Sequence, residues 1–204
     1  MSHRRLDGTR IGCVMTGSFC TFSQVFDAWR ALRQEGAELF PIMSFNASRL
    51  DTRFYPACKA VGIFEEITGH RVWNTIEQVE PIGPKKLFDL LAVAPCTGNT
   101  LAKIAAGITD TPAALAVKSH LRNGRPTLIA ISTNDGLGQS AKNLGALLPV
   151  KHLYFVPFRQ DDCFGKPNSL VADFTLLPDA AVEALQNRQI QPVLRPKAPE
   201  RDKT

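Results

Sequence analysis

Five times along this chain a short apolar run gives way to a stretch whose apolar residues recur every three or four positions. The runs are 10–15, 38–43, 90–94, 126–131 and 153–156. The helical stretches that follow cover 19–35, 47–60, 101–110 with 113–121, 137–148 and 178–189. Leu90 to Ala94 is apolar throughout, as a strand buried on both faces requires. A strand–helix alternation of this kind predicts an α/β fold, a three-layer doubly wound parallel sheet of Rossmann-like type with right-handed crossovers.

The strand ends carry the chemistry. They read Thr16-Gly17-Ser18, Ser44-Phe45-Asn46, Pro95-Cys96-Thr97-Gly98-Asn99-Thr100 and Ser132-Thr133-Asn134-Asp135. A parallel sheet gathers these at its carboxyl edge, where open α/β sheets bind ligands. Helix N-termini there offer free amides to an anion, with Gly17 permitting close approach and Ser18 adding a hydroxyl. The same residues also serve as ordinary helix caps, and spacing alone leaves the two readings level. Neither a three-glycine dinucleotide fingerprint nor a P-loop lysine is present.

Between strands, 61–79 reads as a helical excursion, 81–84 as irregular, 158–168 as a loop able to act as a lid, and 169–173 as a short helix. Residues 8–190 are expected to form one domain. Residues 191–204 are expected to be a mobile basic tail carrying Arg195, Lys197, Arg201 and Lys203.

Composition narrows the classes. With 44% hydrophobic and 21% charged residues, the 204-residue chain is expected to be globular, and its net charge of +5 is modest. No dense basic run is interleaved with aromatics, which argues against nucleic acid. No run approaches the roughly 20 apolar residues of a membrane-spanning helix. The five cysteines, Cys13, Cys20, Cys58, Cys96 and Cys163, are odd in number and lack a C-x-x-C pair. That predicts reduced thiols, a cytoplasmic setting and no metal site. His3, His70, His120 and His152 have no partner at ligand or triad spacing. Asp161, Asp162 and Cys163 read as an exposed turn. Lys103, Lys118, Lys142, Arg159 and Lys166 are candidate cations for an anionic ligand, though each reads first as a surface charge.

Pro95 to Thr100 is similar to the P-A-S-A-N-T motif of the homo-oligomeric flavin-containing cysteine decarboxylase-like flavoproteins. Leu101 to Asp110 is similar to the L-x-K-I-A-x-G-I-x-D run that follows it there. Ile11 to Cys20, Ser44 to Phe54, Arg122 to Leu137 and Val156 to Leu177 resemble, within that superfamily, the family of dipicolinate synthase B subunits. The resemblance implies FMN as cofactor, with Gly17, Ser18, Ser44 and Asn46 near its phosphate and ribityl chain. Pro95, Cys96, Thr97, Asn99 and Thr100 would then lie against the ring. It further implies a homo-oligomer and a small dicarboxylate substrate. The implied partner is the A subunit of the synthase, which resembles a nicotinamide-binding dehydrogenase and could bring NADP. The activity implied is oxidation of dihydrodipicolinate, a lysine-pathway intermediate, to dipicolinate in the mother cell of a sporulating bacterium.

Two departures qualify this picture. Pro81 stands where the decarboxylases carry a histidine that acts at the substrate, and proline cannot transfer a proton. Their second signature, P-x-M-N-x-x-M-W, falls on Ile131 to Gly138, where only Asn134 survives, resembling the residue that holds a substrate carboxylate. No catalytic residue follows from the sequence. The alternatives are a flavin-dependent decarboxylase of another substrate and a non-catalytic binding or assembly subunit.

Overall fold

The computed structural model describes residues 4–196. His3 and the tail from Lys197 onward lie outside the described residues.

The central strands are β1 (Arg10–Met15), β2 (Glu38–Met43), β3 (Leu90–Cys96), β4 (Thr127–Thr133) and β5 (Leu153–Phe155). They run parallel in the order β2-β1-β3-β4-β5. Every residue of β3 is buried, which explains its unbroken apolar run. Gly12 in β1 is part of the same packing: a Cβ there would lie 2.6 Å from both Leu91 Cδ1 and Phe88 Cδ2.

Helices cover both faces. On one side lie α1 (Phe22–Gln34), α3 (Ala57–Thr68) and α9 (Leu177–Leu185). Helix α1 buries Phe22, Val25, Phe26, Trp29 and Leu32, the apolar stripe its spacing predicts. The other side carries α4 (Ile76–Val79), α5 (Ile82–Lys85), α6 (Gly98–Ala106), α7 (Pro112–Leu121) and α8 (Ala141–Leu147). Thr111 caps α7 through its hydroxyl, with Pro112 in the first turn. The short α2 (Phe45–Arg49) follows β2 directly. The three-layer α/β fold read from the sequence is the fold observed.

Local departures have identifiable causes. The sheet gains an antiparallel pair, β6 (Phe158–Gln160) and β7 (Leu170–Ala172), where a loop and a helix were expected. Leu170 and Ala172 are buried and Val171 is not, an alternation that suits pairing with the end of β4 at Ser132 and Thr133. The helical excursion stops at Gly69 (φ 76°), and Trp73 then runs alongside Pro41 to Met43 as a parallel bridge. Residues 50–56 interrupt the helix expected over 47–60. The helix after β4 begins only at Ala141, because Asp135 to Ser140 form hydrogen-bonded turns instead. Pro95 does not end β3. The strand passes through a cis Ala94–Pro95 peptide to Cys96, at a break in register with β4 where a missing N–H is tolerated.

Side chains and tail complete the edges. Gln189 pairs its amide with the Phe155 N–H and C=O at 2.8 and 2.7 Å, imitating a strand beside β5. Leu194 bridges to Phe158, and the Arg195 N–H donates to the Phe158 carbonyl at 2.9 Å.

Candidate functional site

The strand order reverses between β1 and β3, and one residue, Thr16, ties the loops together at that point. Thr16 Oγ1 donates to the Pro95 carbonyl at 2.7 Å and accepts from the Thr97 N–H at 3.0 Å. A crevice beyond the carboxyl ends of strands, at the place where the order switches, is the ligand position of this class of sheet. Thr16 is its buried floor.

Three further contacts draw the neighbouring strand ends to it. Ser18 Oγ lies 2.6 Å from Ser132 Oγ, joining the end of β1 to that of β4. The Ser44 N–H donates to the Met15 carbonyl at 3.0 Å, and Ser44 Oγ caps α2 by accepting from Ala47 N. Half-buried Gly17 faces Asn46: a Cβ built on it would stand 3.7 Å from Asn46 Cβ and 3.4 Å from the Phe19 ring. Asn46 itself is exposed.

The turn between β3 and α6 divides into structural and open parts. Thr97 is the α6 cap, accepting from the Thr100 N–H at 3.2 Å and donating to Thr100 Oγ1 at 3.1 Å. Pro95, Cys96 and Thr100 are buried. Burial pushes the Cys96 thiol up to about 12, so it stays protonated at neutral pH. Asn99 alone of this group is exposed.

Beside it sits a cluster that the sequence did not announce. Asp135 Oδ1 accepts from Thr133 Oγ1 at 2.6 Å and Ser140 Oγ at 2.8 Å. These hydroxyls, Thr133 first, hold its carboxyl below the usual aspartate range. Asn134, between them in sequence, is exposed at the same sheet edge. A cleft of about 600 Å³ opens between α6 and α8, lined by Asn99, Lys103, Asp135, Gln139, Lys142 and Asn143 among others. An apolar cavity of about 280 Å³ lies between α6 and α7, with Ile104, Ile108, Val117 and Leu121 on its walls.

The remaining candidates sit elsewhere or are engaged. Arg159 pairs with Asp173 at 3.4 Å and Lys166 with Asp161 at 3.5 Å. Lys118 lines the apolar cavity. His120 is buried, with Nε2 3.1 Å from the Pro126 carbonyl. Pro81 precedes α5, which packs on α7.

A parallel sheet with this switch-point crevice defines a class. The chain belongs to the flavoprotein family, whose model matches residues 1–167. It is 44% identical over 189 residues to the B subunit of dipicolinate synthase from Bacillus subtilis (strain 168), covering 93% of this chain and 94% of that one. The crystal structure of the dipicolinate synthase B subunit from Bacillus halodurans superposes with a TM-score of 0.87 at 37% identity, over 95% of this chain and 99% of that one. By that full-length match the family is, more narrowly, that of the dipicolinate synthase B subunits. The FMN-dependent cysteine decarboxylase SpaF shares the fold, with a TM-score of 0.67 at 21% identity over 89% of this chain and 99% of that one.

Proposed function

We propose that this chain acts as the B subunit of a dipicolinate synthase, binding FMN at the switch-point crevice and working with a dehydrogenase-like A subunit. The observation that carries the reading is the match to a B subunit over 94% of that protein's length. The chain's own residues support a flavin. Gly17 carries no side chain between Phe19 and Asn46, where even a Cβ would already be in van der Waals contact with both, so a larger side chain would crowd the backbone amides there. In this reading Gly17, Ser18, Ser44 and Asn46 serve the phosphate and ribityl chain. Asn99 supplies an amide to the ring edge, while Pro95, Cys96, Thr97 and Thr100 shape the wall beneath it.

Converting dihydrodipicolinate to dipicolinate removes two hydrogens, so an electron-pair acceptor is required, and a bound flavin or the NADP of the A subunit supplies that chemistry. Aromatisation provides driving force. The chain's residues then have to hold a dianion, with Asn134 as one contact, and keep it oriented toward the acceptor. Homo-oligomerisation belongs to the same proposal: an FMN-dependent UbiX-like decarboxylase of this fold is dodecameric. So does a cytoplasmic place in a sporulating mother cell. Among the described residues no helix is long and apolar enough to cross a membrane.

The test is dipicolinate formation, read by its ultraviolet absorption, from the two purified subunits together and apart. Full activity from the dehydrogenase-like partner alone, unchanged in rate and product when this chain is added, rejects the catalytic role. Pro81, in the histidine position of the decarboxylases, favours a second reading, an assembly subunit without flavin. The visible spectrum of protein purified without added flavin separates the two, since near-stoichiometric flavin excludes the second.

A further inference from the structure

The α6–α8 cleft combines a size suited to a small molecule with an unusual distribution of charge. At about 600 Å³ it falls within the range of ligand pockets. Its charged lining is Lys103, Lys142 and Asp135. Lys103 is already neutralised, its ammonium lying 2.7 and 2.8 Å from the two carboxylate oxygens of Asp110. Asp135 is turned toward its own partners, Thr133 and Ser140, and Oδ1 lies only 3.0 Å from where a Cβ on Gly98 would stand. Its charge therefore faces the first turn of α6, where the helix dipole favours an anion. Lys142 forms no ion pair among the described residues. Asn99, Gln139 and Asn143, each with a side-chain amide, also line the cleft.

We infer that this cleft is a carboxylate-binding site, with Lys142 as the ion-pairing cation and the Asn99 and Asn143 amides as flanking donors, and that it takes a small aromatic dicarboxylate. The ligand class rests on the function proposed above; the site itself rests on the cleft and its charges. Asp135 has a second part in it. Lying beside Gly98 in the first turn of α6, its negative charge makes that end of the cleft unfavourable to a second anion and leaves Lys142 as the attraction for an incoming one. An uncharged ring would gain little from this arrangement, and the second carboxylate of the ligand follows from the function proposed above. A dianion gains an ion pair at one carboxylate and amide hydrogen bonds around it.

The experiment is calorimetric titration of the full-length chain with pyridine-2,6-dicarboxylate in metal-free buffer. Lys142→Ala is expected to weaken binding about tenfold and Lys142→Glu to abolish it, as loss of a charge-assisted contact predicts. Lys142→Arg should restore most of the affinity. Lys151→Ala, an exposed change at the amino end of β5, should leave it unaltered. Lys142 is exposed, so circular dichroism should show all four variants folded. Unchanged affinity in Lys142→Glu overturns the site, as does a wild-type chain that binds no dicarboxylate. The assay coupled to the dehydrogenase-like partner separates the two proposals. Dipicolinate formed equally by wild type and Lys142→Glu removes the cleft and keeps the function, whereas dicarboxylate binding without any dipicolinate does the reverse.

Discussion

Gly98 and Asp135 occupy one another's space: a Cβ on Gly98 would meet Asp135 Oδ1 at 3.0 Å, with Thr133 Oγ1 and Ser140 Oγ each at 2.7 Å. The related decarboxylase motif has alanine at this position. Glycine here is therefore matched to a polar cluster on the facing turn. Gly98→Ala should destabilise the chain by about 1–3 kcal/mol, the usual cost of overpacking. Thermal melts of Gly98→Ala, Ser140→Ala and the double variant check this, because removing one clashing hydroxyl should make the double variant less damaged than the sum.

The carboxyl of Asp135 should titrate below the ordinary aspartate range because Thr133 and Ser140 donate to it. Its folded value is depressed, so its stabilising contribution is present above the unfolded pKa and fades as pH falls through the folded one. Carbon-13 titration of the side chain reads the midpoint directly. Ser140→Ala should raise that midpoint; an unmoved value would mean that the hydroxyl contributes nothing.

Within one turn, Thr97 and Asn99 should separate stability from binding. Thr97→Ala removes the α6 cap and should cost about 1 kcal/mol. Asn99→Ala, at an exposed position, should leave the melting temperature unchanged while weakening flavin binding, measured by quenching of flavin fluorescence. An unaltered dissociation constant would remove Asn99 from the site.

At the other end of the crevice, Gly17→Val should harm flavin binding more than Ser18→Ala does. A Cβ at Gly17 meets ordinary contact distances, so the fold tolerates it, but a branched side chain adds bulk beside Asn46 and Phe19. Equal dissociation constants for the two variants would place the phosphate elsewhere.

His120 gives the fold its own pH dependence. Burial, the largest influence, lowers its pKa from the ordinary 6.5 to about 4 despite the nearby Pro126 carbonyl. Between those values the unfolded chain binds the proton and the folded chain does not, so stability falls as pH drops through that window. Urea denaturation from pH 7 to 4 should show the loss, and His120→Gln should flatten it.

Much of this was legible in the residues. The central strands are apolar because both faces are covered, so their limits could be read nearly to the residue, as for Glu38–Met43. Leu170–Ala172 was not legible: three residues carry too little period to distinguish a strand from a helix, and their pairing with β4 is a long-range event. The crevice could be sensed from small polar residues at four strand ends. Asp135 could not, since its importance depends on how closely its hydroxyl partners approach Gly98, which no spacing reveals. The division of Pro95 to Thr100 into buried wall and exposed Asn99 likewise needed three dimensions.

The borders of the sheet bear on how copies of the chain can meet. Trp73 lies along β2, the Gln189 amide along β5, and Leu194 with Arg195 along β6. Each outer strand thus meets part of its own chain before it can meet a stranger's. Strand-by-strand addition of copies is disfavoured where these edges are covered, so the homo-oligomer proposed above would be built on helices and loops. Contacts of that kind can close on a fixed number of protomers instead of growing without limit.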